Sequence, residues 1–186
     1  IISKGNSKYN QFVLGDITTN RYGLDSIDYR NILFKESTKG ILQEPSFNPV
    51  NSNVIGYLEM VGNIRSKIYY QLSIRRLDTA EDYFLTKKLY RNELTKWAHP
   101  NSTSYVWHPS GNYIFFINTD EKRKIAYVDL SELDNPEIKI LETDIKFVEQ
   151  LAISPDGKYL AVTTKISSIN DNNDALGQLY IIELIN

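Results

Sequence analysis

The sequence predicts an all-β fold, a β-propeller built from four-stranded antiparallel blades, on three observations. A motif of apolar residue, proline, tight turn and β-prone run recurs three times between residues 43 and 186. A further β-prone strand follows each copy after a polar loop. Self-similarity at a fixed period is the mark of repeat architectures, and a four-stranded unit of this size is the propeller pattern.

Residues 1–42 read as part of a preceding blade, with Tyr9–Asp16 as one strand, Tyr29–Lys35 as the next, and Gly40–Gln43 leading into Pro45. The first clear repeat, within 43–100, opens on Pro45-Ser46-Phe47-Asn48-Pro49 and runs on through Asn53-Val54-Ile55-Gly56-Tyr57-Leu58. Its next strand falls on Lys67–Leu77, where Ile68, Tyr70, Leu72 and Ile74 alternate with polar neighbours apart from Tyr69. An outer strand is expected near Tyr83–Leu89. The second repeat, within 101–146, reads Tyr105-Val106-Trp107-His108-Pro109-Ser110-Gly111-Asn112-Tyr113-Ile114-Phe115-Phe116, then a strand at Lys124–Leu130 and a short one at Glu137–Leu141. The third, within 147–186, reads Leu151-Ala152-Ile153-Ser154-Pro155-Asp156-Gly157-Lys158-Tyr159-Leu160-Ala161-Val162 and continues with Gln178–Leu184.

The local chemistry explains the motif. Proline fixes φ, and the Ser-Gly or Asp-Gly after it supplies a reversal in which glycine takes a positive φ. β-prone residues flank both reversals, which makes them strong hairpin signals. In the first copy Val50-Asn51-Ser52-Asn53 stands in place of the glycine, so its turn is longer. Near-continuous apolar runs such as Tyr113–Ile117 suit strands covered on both faces. The marker prolines Pro49, Pro109 and Pro155 are 60 and 46 residues apart. The second interval matches one blade; the first carries a surplus assigned to Leu77–Pro100, where Thr79–Trp97 holds a lengthened hairpin or a short helical excursion. The first blade lacks its innermost strand on this reading and the last lacks its outermost, and open edges of that kind predict a segment of a larger propeller.

The motifs resemble the TolB-like or PD40 branch of the WD40-like propellers. Ile153–Val162 with Leu179–Leu184 carries the resemblance most fully, and Val106–Phe116 with Ile125–Leu130 follows it, with His108 where the family has Ser and Asn112 where it often has Lys. Phe47–Leu58 is the most divergent copy. The resemblance covers about three quarters of the chain and speaks for fold rather than activity. It implies a non-enzymatic binding or scaffolding module that presents rim loops to a protein or glycan partner, with a periplasmic or cell-envelope location. An alternative that it also implies is the accessory, substrate-gating propeller of an α/β-hydrolase peptidase of the prolyl-oligopeptidase kind.

Composition narrows the partners. With 21 basic and 23 acidic residues the net charge is −2, which gives no positive stripe for a phosphate backbone, so nucleic acid is not an expected partner. The short clusters Lys87-Lys88 and Lys122-Arg123-Lys124 read as solvated turns and strand ends. Cysteine is absent, which removes disulfides, thiolate zinc sites and cysteine nucleophiles. No apolar run approaches the roughly 20 residues of a membrane span. The start, Ile1-Ile2-Ser3-Lys4-Gly5, shows neither an initiator Met nor an apolar signal core, as expected of a processed chain or a piece of a longer one.

Strand direction places the loops Val61–Ser66, Asn118–Arg123 and Ile166–Leu176 on one rim, together with the connections between blades. Loops on a rigid scaffold carry function, so Asn63, Arg65, Asp120, Lys122, Asp171 and Asp174 form the candidate interaction surface. Asn170-Asp171-Asn172-Asn173-Asp174 offers oxygen ligands but lacks the Gly and Glu positions of a helix–loop–helix calcium loop, so no metal is expected there. Of the two histidines, His108 is expected to bond backbone within the repeat's turn and His99 lies in a connection. Asp156 reads as a turn residue, and Trp97 and Trp107 as blade packing. No Gly-x-Ser-x-Gly elbow and no phosphate-cradling glycine loop occur, so no catalytic residue and no cofactor is expected.

Overall fold

The computed structural model describes residues 2–6, 9–19, 25–30, 40–61, 69–91, 104–119, 122–165 and 177–184. Among them the chain forms antiparallel sheets in which strand order follows chain order. The first sheet joins β1 (Ile2–Asn6), β2 (Tyr9–Thr19) and β3 (Asp25–Arg30). The second joins β4 (Gly40–Phe47), β5 (Val54–Val61), β6 (Tyr69–Arg76) and β7 (Asp82–Leu89). The third joins β8 (Tyr105–Trp107), β9 (Tyr113–Ile117), β10 (Ile125–Asp129) and β11 (Ile138–Ile140). The fourth joins β12 (Val148–Ile153), β13 (Tyr159–Lys165) and β14 (Gly177–Glu183).

The repeated turns close in the same way. In the third sheet His108 N donates to Tyr113 O and Gly111 N to His108 O; in the fourth, Ser154 N donates to Tyr159 O and Gly157 N to Ser154 O. Gly111 and Gly157 both stand at φ 75°, where a side chain would be strained. The second sheet reaches a similar reversal without glycine: the Asn48 side-chain oxygen accepts from Val50 N and Asn51 N at 2.9 Å each. That is the turn chemistry for which Asn is favoured.

Side-chain alternation builds two cores from one strand. Ile114 and Phe116 of β9 face the second sheet and join Leu58, Leu72, Ile74, Leu85 and Leu89. Phe115 and Ile117 face the fourth sheet and join Val148, Leu160 and Val162. This is why Tyr113–Ile117 reads as an unbroken apolar run. At the first of these junctions Gly56 lets the sheets approach, since a Cβ there would come within 3.0 Å of the Tyr105 ring and 3.2 Å of Trp107. Trp107 itself is half-buried against that core, its indole N–H donating to Ser46 Oγ at 2.9 Å.

The turns also link neighbouring sheets. Asn48 Nδ2 donates to Gly111 O of the next sheet at 2.8 Å, and His108 Nε2 lies 3.2 Å from Gly157 O of the sheet after that. Both side chains belong to the residue before the marker proline. His108 therefore bonds backbone as its place in the motif suggests, but the backbone belongs to the following sheet. Asp156 accepts from Ser154 Oγ at 2.6 Å and Lys158 N at 3.1 Å, which holds its carboxyl below the usual carboxylate range.

Several strands differ from expectation. Ile2–Asn6 forms a strand that the sequence reading missed, and β2 continues to Thr19. The strand expected at Tyr29–Lys35 is instead Asp25–Arg30, paired with β2 from Thr19↔Asp25 to Leu14↔Arg30, and residues 31–39 lie outside the described ones. Gly40–Gln43 is part of β4, which passes straight through Pro45. A bulge between Gln43 and Ser46 permits this, because a bulged position needs no ladder donor. Within Thr79–Trp97 the described residues make a hairpin with the eight-residue β7, and residues 92–103 lie outside them.

Candidate interaction rim

The bonds that fix one end of the stack start at the β4 bulge. Glu44 there takes φ 51°, and its side chain is only 2% exposed. Its carboxylate accepts from Arg91 Nε at 2.9 Å, from Ser104 N at 2.7 Å and from Ser104 Oγ at 3.1 Å. Arg91 also donates to Tyr70 Oη at 2.8 Å and stacks over that ring at 4.8 Å. The Glu44 carbonyl accepts from Tyr105 Oη at 2.7 Å, and burial pushes the Tyr105 phenol well above its ordinary range. One carboxylate thus holds Arg91 and Ser104, the residues on either side of the connection between the second and third sheets.

A second cluster sits at the next junction. Arg123 donates to Tyr90 Oη at 3.2 Å and pairs with Glu149, whose other oxygen accepts from Tyr90 Oη at 3.2 Å. The guanidinium lies over the Tyr90 ring at 5.0 Å and the Phe147 ring at 5.6 Å. Partial burial, then the Glu149 charge, raise the Tyr90 phenol. Lys122, Arg123 and Phe147 all take positive φ, a backbone that costs of order 1–3 kcal/mol at a non-glycine residue unless its surroundings enforce it. Here the enforcing bonds are Phe147 N to Lys122 O and Val148 N to Arg123 O, at 3.0 and 3.1 Å. The β9–β10 loop is closed at its base by Asn118 N to Lys124 O, and tied to the second sheet by Thr119 N to Lys88 O.

Of the residues that the sequence singles out for this rim, Lys122 is exposed, on the strained turn just described. Asn63, Arg65, Asp120, Asp171 and Asp174 lie outside the described residues, as do Trp97, His99 and the Asn170–Asp174 run. Arg123 is not a solvated turn residue: its pairing and stacking leave it 24% exposed. The sequence reading also missed Glu44, Arg91 and Glu149. The signal for Glu44 was its place beside Pro45, where a strand needs a bulge. Lys124, Ile140, Glu142, Thr143 and Asp144 line an open cleft of about 580 Å³ at this same rim. Among the described residues no three His, Asp or Glu side chains are grouped to hold a metal. The arrangement is one of charge-paired supports beneath loops, a geometry for holding a surface still.

Solved structures similar to this chain share that architecture. Acylaminoacyl peptidase of Pyrococcus horikoshii matches 82% of the chain at 15% identity with a TM-score of 0.55. TolB of Acinetobacter baumannii matches 97% at 18% identity with a TM-score of 0.54. The fold is a TolB-like β-propeller. The β-propeller domain of the Trilobed protease from Pyrococcus furiosus, which has an open velcro topology, matches 78% at 16% identity with a TM-score of 0.50. No family model matches the sequence, and no curated protein is similar to it. The chain spans 24% of the acylaminoacyl peptidase, 37% of TolB and 39% of the protease propeller domain. Among the described residues no helix is long and apolar enough to cross a membrane.

Proposed function

We propose that this propeller is a non-catalytic binding or scaffolding module that engages a protein or glycan through the rim bearing Lys122. The observation that carries this reading is the clamp of Arg91 and Ser104 on the one buried Glu44 carboxylate. Fixing the residues on either side of a connecting segment lowers the entropy lost when that segment meets a partner. The Arg123–Glu149 cluster supports the neighbouring loop in the same manner. The periplasm or cell envelope is the favoured location, on resemblance to TolB.

The test compares the two rims. Charge reversals at Lys122, Asp120, Asp171 and Asp174 are made in one variant, and substitutions at Asn51, Ser110 and Asp156 on the opposite rim in another. Both are screened with the parent chain on a glycan array and a displayed peptide library. Ligands retained by the parent are expected to be lost in the first variant and kept in the second; the reverse pattern overturns the proposal.

Similarity to acylaminoacyl peptidase favours a second reading, a propeller that controls substrate entry to a hydrolase. A polypeptide joining this chain to a domain with a Gly-x-Ser-x-Gly elbow would favour it over the first.

A further inference from the structure

The last sheet ends on a strand that has the composition of an interior one. Its register makes β14 the counterpart of β10: Leu179 opposes Thr163 as Ile125 opposes Ile117, and Ile181 opposes Ala161 as Tyr127 opposes Phe115. β10 is covered by β11, with Leu141 N donating to Ile125 O at 2.9 Å. Among the described residues no strand covers β14. Residues alternate in the side to which their backbone bonds in an antiparallel ladder. Leu184 N bonds inward to Lys158 O, so Leu179, Ile181 and Glu183 turn their N–H and C=O outward.

Side chains agree with the backbone. The strands that close the other four-stranded sheets carry charges, Asp82, Lys87 and Lys88 on β7 and Lys139 on β11, as terminal strands do to resist unwanted pairing. Gly177–Ile182 carries none. Leu179 and Ile181 are 68% and 61% exposed, and Tyr180 is 37% exposed.

We propose that the outer edge of β14 is a docking site for an added β-strand: an extended segment, antiparallel to Gly177–Glu183, with apolar residues at alternate positions. The repeat itself specifies the occupant. Ile138 and Ile140 of β11 turn into the core between the second and third sheets, and Tyr83 and Leu85 of β7 do the same. An equivalent strand on β14 sets its apolar side chains beside Ile182 and Leu184, which already pack on the core between the third and fourth sheets. Main-chain bonds supply affinity in such strand addition, and the alternate side chains supply selectivity.

The experiment adds a synthetic peptide with the sequence of residues 135–142, which contains β11, to the labelled 186-residue chain. Amide hydrogen exchange is then read residue by residue. At a peptide concentration about ten times its Kd, the outward amides of Leu179, Ile181 and Glu183 should slow about tenfold. The inward amides of Tyr180 and Ile182 should barely change. The same peptide with Ile138→Lys and Ile140→Lys should have no effect. No slowing up to millimolar peptide, or equal slowing by the substituted peptide, overturns the proposal. So does protection of these amides that rises with protein concentration in the absence of peptide, which would give the edge to a second copy of the chain.

Discussion

Replacing Glu44 by alanine tests whether the clamp is structural. The substitution takes a carboxylate away from Arg91, whose side chain is 9% exposed. Breaking a buried ion pair by removing one partner costs about 3–5 kcal/mol. Arg91 keeps the Tyr70 hydroxyl at 2.8 Å and its stacking on the ring, so the lower end applies, about 3 kcal/mol. Loss of the acceptor for Ser104 N adds about 1 kcal/mol. The expected total is about 4 kcal/mol, seen as a lower urea midpoint by circular dichroism and a fall in Tm of about 10 °C. Glu44→Gly should lose about 1 kcal/mol less than Glu44→Ala, because glycine accepts the left-handed backbone at this position without strain. A loss below about 1 kcal/mol in Glu44→Ala, or a glycine variant less stable than the alanine one, would refute the reasoning.

Gly157→Ala should destabilise by about 2 kcal/mol or more, since the new Cβ sits at φ 75° and 2.6 Å from His108 Nε2; in a His108→Ala background only the backbone strain should remain, and an additive double-mutant cycle in urea unfolding would contradict this. Trp107→Ala should cost about 3 kcal/mol in the same assay, and a cost under about 1 kcal/mol would place that ring outside the junction between sheets. Burial, then the Asp82 charge, push the Tyr57 phenol well above its ordinary range, and burial does the same to Tyr105. Their stabilising effect is whole below the unfolded phenol pKa of about 10 and is lost as pH rises beyond it, so Tm should fall on the alkaline side while absorbance at about 295 nm shows two phenols that ionise only on unfolding. Ionisation of every tyrosine at about pH 10 with the fold intact would contradict that burial.

What could be read from the sequence was whatever repeats or obeys local rules. Pro109-Ser110-Gly111 and Pro155-Asp156-Gly157 announce their turns because each residue has a single conformational role. The strands that follow show a period of two, or an unbroken apolar run where both faces are covered. The first sheet was harder. Ile2–Asn6 contains Ser3, Lys4 and Gly5, poor strand formers whose pairing with β2 is tertiary rather than local. The rim supports were harder still. Glu44 and Arg91 are 47 positions apart and Arg123 and Glu149 are 26 apart, and nothing in a single sequence marks one charge as the partner of another so distant. Asn48 and His108 stand in corresponding slots of the motif, yet their bonds run to the next sheet, a relation visible only once the sheets are stacked.

Those two side chains bear on how similar units assemble in order. A chain of near-equivalent sheets risks joining the wrong neighbours, since their apolar faces are interchangeable to a first approximation. Asn48 reaches the Gly111 carbonyl with a short amide, whereas His108 spans to Gly157 with a longer ring, so each boundary has its own reach. An out-of-sequence neighbour would leave one of these groups too far from its carbonyl or crowded against it. The residue before each marker proline thereby acts as an address, steering every sheet toward its proper successor as the chain folds.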